Sequence, residues 1–427
     1  MTTTRPRFIP PRLDEVESPE AYHPGGLHPI IIGDAFCNGR YRVIHKLGFG
    51  GSSTIWLARD QQRDKLVILK ALRADISSAV PEDQFPDLLL PQRLQATFQG
   101  AASLFRIVED HFKVEGPNGT HQIHIAPLAG PNVLAMSQAP GRAAGSRRLR
   151  SDLARSLAKD VAQAISYMHA IGLVHGDLTT ANILFRVPES ITTWSDDYVY
   201  ALLEEPQTEE VRTSNGRIAP GPHVPHVLVG AIEDSVFTNA SLLEERVIII
   251  DFGQSFDIAS PPMGYEPATM MHYIAPESRF ESRVSLATDI WALGCALFEI
   301  RAGRPLFEPF FANDLDILRQ TVETLGKLPD PWWSSFQGRN AWFEEDGEPK
   351  SGKARKTSIE ALLREIGTRD DLAVGYEGPM IEKAGTRLDE EEVVLLGDLL
   401  GKMLRYRPEE RIQIREVLEH PWFAYGT

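Results

Sequence analysis

The sequence predicts an α+β chain of two lobes, a small antiparallel β lobe and a larger helical lobe that share one cleft. Three observations predict it. Runs of β-branched and aromatic residues separated by glycines fill the first third, helical periodicity takes over from residue 151, and one loop, His175-Gly-Asp-Leu-Thr-Thr-Ala-Asn182, stands between a helical face and a short apolar run. With 427 residues and 42% hydrophobic side chains the chain can bury a large core. Its formal charge of −15 argues against a nucleic-acid surface and suits a basic peptide better, generic solubility being the other reading of that charge. Only Cys37 and Cys295 are present, so neither a disulfide framework nor a cysteine metal site is expected, and the compartment is read as reducing. The N-terminus has no apolar signal core, and the most apolar helix, near 286–300, is interrupted by Asp289. The expectation is a soluble monomer, cytoplasmic or nuclear, with no membrane or direct nucleic-acid contact.

In chain order, residues 1–35 read as an N-terminal arm, partly disordered, because they are rich in Pro, Glu and Gly. Residues 36–130 form the β lobe. Tyr41 to Leu47, Thr54 to Ala58 and Leu66 to Lys70 are its first strands; Phe105 to Glu115 and His121 to Pro127 are two more, joined at Gly116-Pro-Asn-Gly119. The lobe's helix falls within 75–105, where Pro81, Pro86 and Pro91 break or shorten it. Residues 131–424 form the helical lobe. It opens with a helix over 151–171, capped by Ser151, buried along Leu153, Leu157, Val161, Ile165 and Met168, and ended by Gly172. Residues 187–246 have no sustained period and are expected to be a partly disordered insertion, poorly protected from hydrogen exchange like residues 1–20. Val247 to Ile250 restart a buried strand, and helices near 388–405 and 412–419 close the chain.

An aspartate followed by an asparagine five positions later can set a carboxylate beside a hydroxyl nucleophile and an amide oxygen on a metal ion, the working parts of phosphoryl transfer. Asp and Asn are also ordinary turn residues, so the neighbours of Asp177 and Asn182 decide. Upstream, Gly48-Phe-Gly-Gly-Ser-Ser-Thr-Ile55 precedes Val67-Ile-Leu-Lys70. Downstream, Ile248-Ile-Ile-Asp251-Phe-Gly253 precedes Ala275-Pro-Glu277 and Thr288-Asp-Ile-Trp-Ala-Leu-Gly294. That order is the one a protein kinase requires, and it makes the predicted architecture the two-lobe protein kinase fold. Gly48 and Gly50 let backbone amides approach the phosphates of ATP, with Ser53 where a third glycine usually stands and Leu47 and Ile55 bordering the nucleotide. Lys70, ending an apolar strand, is expected on the α and β phosphates; the alternative is a snorkelling edge lysine. Asp177 would orient the substrate hydroxyl and accept its proton, while Asn182 and Asp251 would hold Mg2+ through hard oxygen donors. Glu277 and Arg411 would form a buried ion pair, and Asp289 would receive amides of the Asp177 loop or else be a plain helix-surface aspartate.

The chain resembles the eukaryotic protein kinases and, more narrowly, the SR protein kinases, including their divergent fungal type. The narrower match rests on Tyr22-His-Pro-Gly-Gly26, Ile32-Gly-Asp34, Gly39-Arg-Tyr41, Lys46-Leu-Gly-Phe-Gly50, Ser53-Thr-Ile-Trp-Leu57, Gly116-Pro-Asn-Gly-Thr-His121, Phe307-Glu-Pro309 and Leu325-Gly-Lys-Leu-Pro329, and on an insertion where that family carries its spacer. The resemblance implies ATP-dependent phosphorylation of serine in Arg-Ser-rich protein substrates held in an acidic groove. Asp314, Asp316 and Glu308 fall where such a groove would lie, or belong to a solvated helix start.

Four positions depart from the pattern. Asp87, one methylene short, replaces the helix glutamate that pairs with Lys70; Thr179 replaces the loop lysine; Ile68 stands where alanine usually meets adenine; Gly176 replaces the arginine that receives an activation-loop phosphate on residues such as Thr269 or Ser260. Activity is therefore expected to be independent of such phosphorylation. Ala126 aligns with the gatekeeper and the amide of Ala129 with the hinge donor to adenine. A pseudokinase or nucleotide-binding scaffold is the second reading, and a small-molecule kinase, which shares His-Gly-Asp, the third.

Overall fold

The computed structural model describes residues 6–81, 84–138, 146–219, 221–232, 238–262, 265–308, 313–370 and 378–426. Pro309 of the Phe307-Glu-Pro309 motif, and residues 1–5, 220 and 233–237 of the arm and insertion, lie outside them. The chain divides into two compact units: 1–93, 106–130 and 186–243 form the first, and 94–105, 131–185 and 244–427 the second. The first is built on a sheet and the second on helices, an α+β chain with the make-up of a two-lobe protein kinase.

The sheet of the first unit has six strands, β1 (Ala35–Phe36), β2 (Tyr41–Phe49), β3 (Ser53–Asp60), β4 (Lys65–Leu72), β5 (Asp110–Gly116) and β6 (Gly119–Pro127), in the order β1-β2-β3-β4-β6-β5. Every pairing is antiparallel. Successive side chains alternate between faces, so the register sorts them. One face carries Val43, Trp56, Ala58, Leu69 and Ile125, a core cluster that also takes in Ile30 of the arm and Val229 of the insertion. The other carries Gly48, Ile55, Lys70 and His124 in one row across β2, β3, β4 and β6, and Leu57, Ile68 and Ala126 in the next. Strand β5 starts at Asp110; Phe105, expected to open it, instead bridges Ile249 in the second unit. The prolines split the expected helix in two, Ala74–Ala79 and Pro86–Thr97, with Pro91 inside the latter.

The described parts of the arm and insertion, segments expected to be partly disordered, are packed. Phe8, Tyr22 and Leu27 share a buried cluster with Val211, Ala219, Val224 and Leu228. The Asp196–Leu203 helix is capped by the Ser195 side chain, and Asp196 pairs with Arg42 and, at 2.8 Å, with Arg59. Strand Val227–Val229 pairs with Thr208–Glu210. Neither segment has enough apolar periodicity to make a core alone; each borrows one from the sheet and from the other.

In the second unit the Ser151–Ala170 helix buries the expected face. Its N-cap is Arg150, and Ser151 is its first residue rather than its cap. Gly172 (φ +75°) turns the chain out of it. The Leu286–Ala302 helix is buried on nearly all sides and starts from a capping box of Ser285 and Thr288. The closing helices are Glu390–Met403 and Ile414–Leu418. Among the described residues, no helix is long and apolar enough to cross a membrane, and both cysteines are free.

Candidate active site

In the first unit the predicted nucleotide residues gather on one face of the sheet. Lys70 lies between Ile55 and His124 in the register, and its ammonium meets Asp87 Oδ2 at 2.7 Å. The shorter carboxylate reaches because Asp87 sits in the first turn of the Pro86–Thr97 helix. Ile68 and Ala126 are direct cross-strand partners, both buried. Ala129 is buried just beyond the end of β6. A side chain at Gly48 or Gly50 would meet no atom within 4 Å, so the space over both is open. Leu47 occupies the register shift between Lys46 and Gly48, and the Gly50 amide donates to the Ser53 carbonyl at 2.9 Å to close the turn.

In the second unit, Asp177 and Asn182 stand on a loop whose backbone is tied down from below. The amides of His175 and Gly176 donate to the two carboxylate oxygens of buried Asp289, at 2.8 and 3.1 Å. This is the role expected of Asp289. The Asn182 amide nitrogen donates both to Asp177 Oδ2 (2.9 Å) and to the Asp177 carbonyl (2.8 Å), which leaves its side-chain oxygen pointing away. Strand Ile183–Phe185 pairs with Val247–Ile249, and the Ile250 amide donates to the Asn182 carbonyl at 3.1 Å, so Asp251 follows directly beside the loop in a left-handed conformation (φ +64°).

Burial pushes the Asp177 carboxyl above its ordinary value; the Thr269 hydroxyl, His175 and the Asn182 amide pull it down, and the charge on Asp251 pushes it further up. Thr269 comes close to Asp177 without a hydrogen bond of good geometry. A threonine between Ala268 and Met270 carries no signal in the sequence for that place. Also unanticipated is the support under Thr180: its amide donates to the Tyr273 hydroxyl at 3.3 Å, and that hydroxyl donates to buried Glu299. Glu299 lies inside the most apolar helix, where a carboxylate reads as an exception without a partner in view.

The donor set fits Mg2+. Among the described residues no group of three His, Cys, Asp or Glu could hold a metal. One amide oxygen and one carboxylate, completed by phosphate oxygens and water, is how Mg2+ is usually bound beside a nucleotide. The three acids expected in a substrate groove are already engaged. Asp316 meets Arg319 at 2.6 Å, Glu308 meets Arg304 at 3.0 Å, and Asp314 contacts Arg279. Each of these carboxylates thus has a basic partner within the chain, with Asp314 and Glu308 partly exposed. Glu277 and Arg411 form the expected pair, bidentate at 2.6 and 2.7 Å and 1% and 0% exposed.

Residues 238–423 match the protein kinase domain family, and residues 141–202, which contain the Asp177 loop, match the lipopolysaccharide kinase (Kdo/WaaP) family. "SRSF protein kinase 3" of Homo sapiens is 30% identical, over 96% of this chain and 90% of its own. "Serine/threonine-protein kinase SRPK" of Physarum polycephalum is 26% identical, over 96% of this chain and 92% of its own. "Protein kinase dsk1" of Schizosaccharomyces pombe is 30% identical over 47% of this chain, an alignment that spans 35% of that protein.

Proposed function

The chain belongs to the SR protein kinases and is an ATP-dependent serine/threonine protein kinase; from that premise we propose that its substrates are serines in basic, Arg-Ser-rich proteins, with Asp177 as the catalytic base. The observation that carries this reading is the Asp177–Asn182 contact on a loop whose amides are pinned by Asp289. Asn182 orients the carboxylate while its own oxygen stays available to a metal. As the serine oxygen bonds to the γ-phosphorus, its proton passes to Asp177 and the bond to the β-bridging oxygen breaks, releasing ADP. Asn182 and Asp251 would hold Mg2+, which supplies neutralisation of the charge spreading over the transferred phosphoryl. Lys70, steadied by Asp87, meets the α and β phosphates; Gly48 and Gly50 leave room for them, with Leu47, Ser53 and Ile55 around the loop; Ile68, Ala126 and Ala129 take the adenine. The retained Lys70–Asp87 pair supports an enzyme over a scaffold. A net charge of −15 favours encounter with arginine-rich chains. The protein acts as a monomer in the cytoplasm or nucleus.

The test is transfer of labelled phosphate from ATP to an Arg-Ser repeat peptide and to the same peptide with every arginine replaced by alanine. Wild type is expected to modify only the first. Asp177→Asn should lower turnover by roughly two orders of magnitude or more with ATP binding retained, since base catalysis is worth about 10²–10⁴. Equal turnover in wild type and Asp177→Asn would leave only the scaffold.

A further inference from the structure

Every peptide group on either side of Gly176 has a partner, and one of those partners is a side chain that the phosphotransfer reading does not use. Asp289 receives the amides of His175 and Gly176. The His175 carbonyl accepts from the Ser255 hydroxyl at 2.9 Å. The Gly176 carbonyl, next in line to Asp177, accepts from the Tyr265 hydroxyl at 3.0 Å. Tyr265 is 7% exposed, and its ring packs against Phe256 with centroids 5.9 Å apart. Phe256 in turn pairs with Val174, the residue before the loop.

The same place excludes an arginine. Gly176 has φ +80°, and a Cβ there would stand 2.5 Å from the Gln254 carbonyl oxygen, a contact that neither backbone could absorb without moving. The cavity shared by Gly176, Tyr265, Thr269 and Asp289 is about 20 Å3, room for one water and none for a phosphate. Burial and the nearby charges of Asp289 and Asp177 raise the Tyr265 phenol to about 12, so it stays a hydrogen-bond donor throughout the working pH range.

We propose that Tyr265 is a positioning residue for Asp177, a neutral latch that ties residues 265–269 to the Gly176 carbonyl and does by hydrogen bond and ring packing what a phosphate–arginine pair would do. It acts through the backbone and touches neither substrate nor nucleotide. The role rests on the reading of Asp177 as the base.

The variant is Tyr265→Phe, which removes one oxygen and keeps the ring, studied beside Tyr265→Leu, which removes both. Losing one neutral hydrogen bond should lower kcat about 3- to 10-fold in Tyr265→Phe, with KM for ATP unchanged and the melting temperature close to wild type. Tyr265→Leu should lose more. A phosphatase-treated wild type should keep its activity. Unchanged kcat in Tyr265→Phe, a rise in KM for ATP matching any fall in kcat, or loss of wild-type activity on phosphatase treatment would each overturn the latch. If wild type transfers no phosphate at all, the reading of Asp177 has failed, and amide exchange at residues 175–178 then decides about Tyr265 alone. Faster exchange in Tyr265→Phe upholds the tether, and unchanged exchange refutes it.

Discussion

Each unit of this kinase holds a carboxylate–cation pair that is buried almost completely, Glu277–Arg411 in the helical unit and Glu17–Lys46 in the sheet unit, and these two pairs differ in what happens when a partner is lost. In the helical unit, Arg411 meets Glu277 through its two terminal nitrogens and also donates to the carbonyls of Arg405, Ala287 and Tyr406. In the sheet unit, Lys46 of β2 is 0% exposed and meets Glu17 of the arm, 4% exposed, and the Val229 carbonyl of the insertion at 3.0 Å. Tyr22 adds its hydroxyl to Glu17, and the Phe49 and Trp56 rings flank the ammonium at 5.5 and 5.4 Å. A guanidinium keeps its charge wherever it is put, whereas a buried ammonium can shed a proton. Burial already lowers Lys46 from its ordinary value, with Glu17 opposing. The first pair is therefore a fixed charge that must be matched, and the second is a matched charge with an escape.

The largest effect is expected from Glu277→Gln. It strands Arg411 among neutral carbonyls, and losing one side of such a pair costs about 3–5 kcal/mol. Urea melts followed by tryptophan fluorescence should show that loss equally at pH 7 and pH 9, because nothing at the site can titrate away the charge.

Glu17→Gln should come close to that loss at pH 7 and then diverge. In the folded variant Lys46 prefers to be neutral; in the unfolded chain it holds its proton up to the ordinary lysine value of 10.5. The unfolded state then binds more protons, so stability rises with pH, by up to about 1.4 kcal/mol per unit. The same melts at pH 7 and 9 read this directly. A Glu17→Gln variant as flat with pH as Glu277→Gln would mean that Lys46 stays charged, and the contrast between the pairs would be gone.

The smallest effect belongs to Asp196→Ala. Asp196 joins the insertion to β2 and β3 through Arg42 and Arg59, but it keeps partial contact with solvent, and such pairs are worth about 1 kcal/mol or less. Hydrogen exchange gives the sharper reading: amides of Val227–Val229, paired with Thr208–Glu210, should be protected in wild type and remain so in the variant. Fast exchange there in wild type would restore the picture of a loose insertion and remove one wall of the Lys46 site.

What was legible in the sequence was local. Gly48 and Gly50, Lys70, Asp177 and Asn182, Asp251, Glu277 and Arg411 are short motifs whose chemistry needs those residues at those spacings, and their order alone named the fold class. The strands β2, β3, β4 and β6 follow the period of their own residues, and so does the Ser151–Ala170 helix. Asp87 still reaches Lys70 despite its shorter side chain, because the helix starts at Pro86, a residue that in the sequence reads as a helix breaker.

Tertiary structure decided the rest. A segment without periodicity reads as disordered, yet residues 8–30, 187–219 and 221–230 are held by surfaces that they do not themselves encode: Phe8 and Val211 in a shared cluster, Asn118 donating to the carbonyls of Leu27 and His223. Whether Asp316 and Glu308 offer charge to a substrate depends on where Arg319 and Arg304 turn, and Tyr265 becomes a latch only because Gly176 leaves its carbonyl within reach. The sequence by itself determines which residues can do phosphoryl transfer, since that is a matter of functional groups and short spacings. Only the packed chain decides which charges are already matched, because a buried ion pair or a borrowed core is a property of two distant segments and is written in neither one.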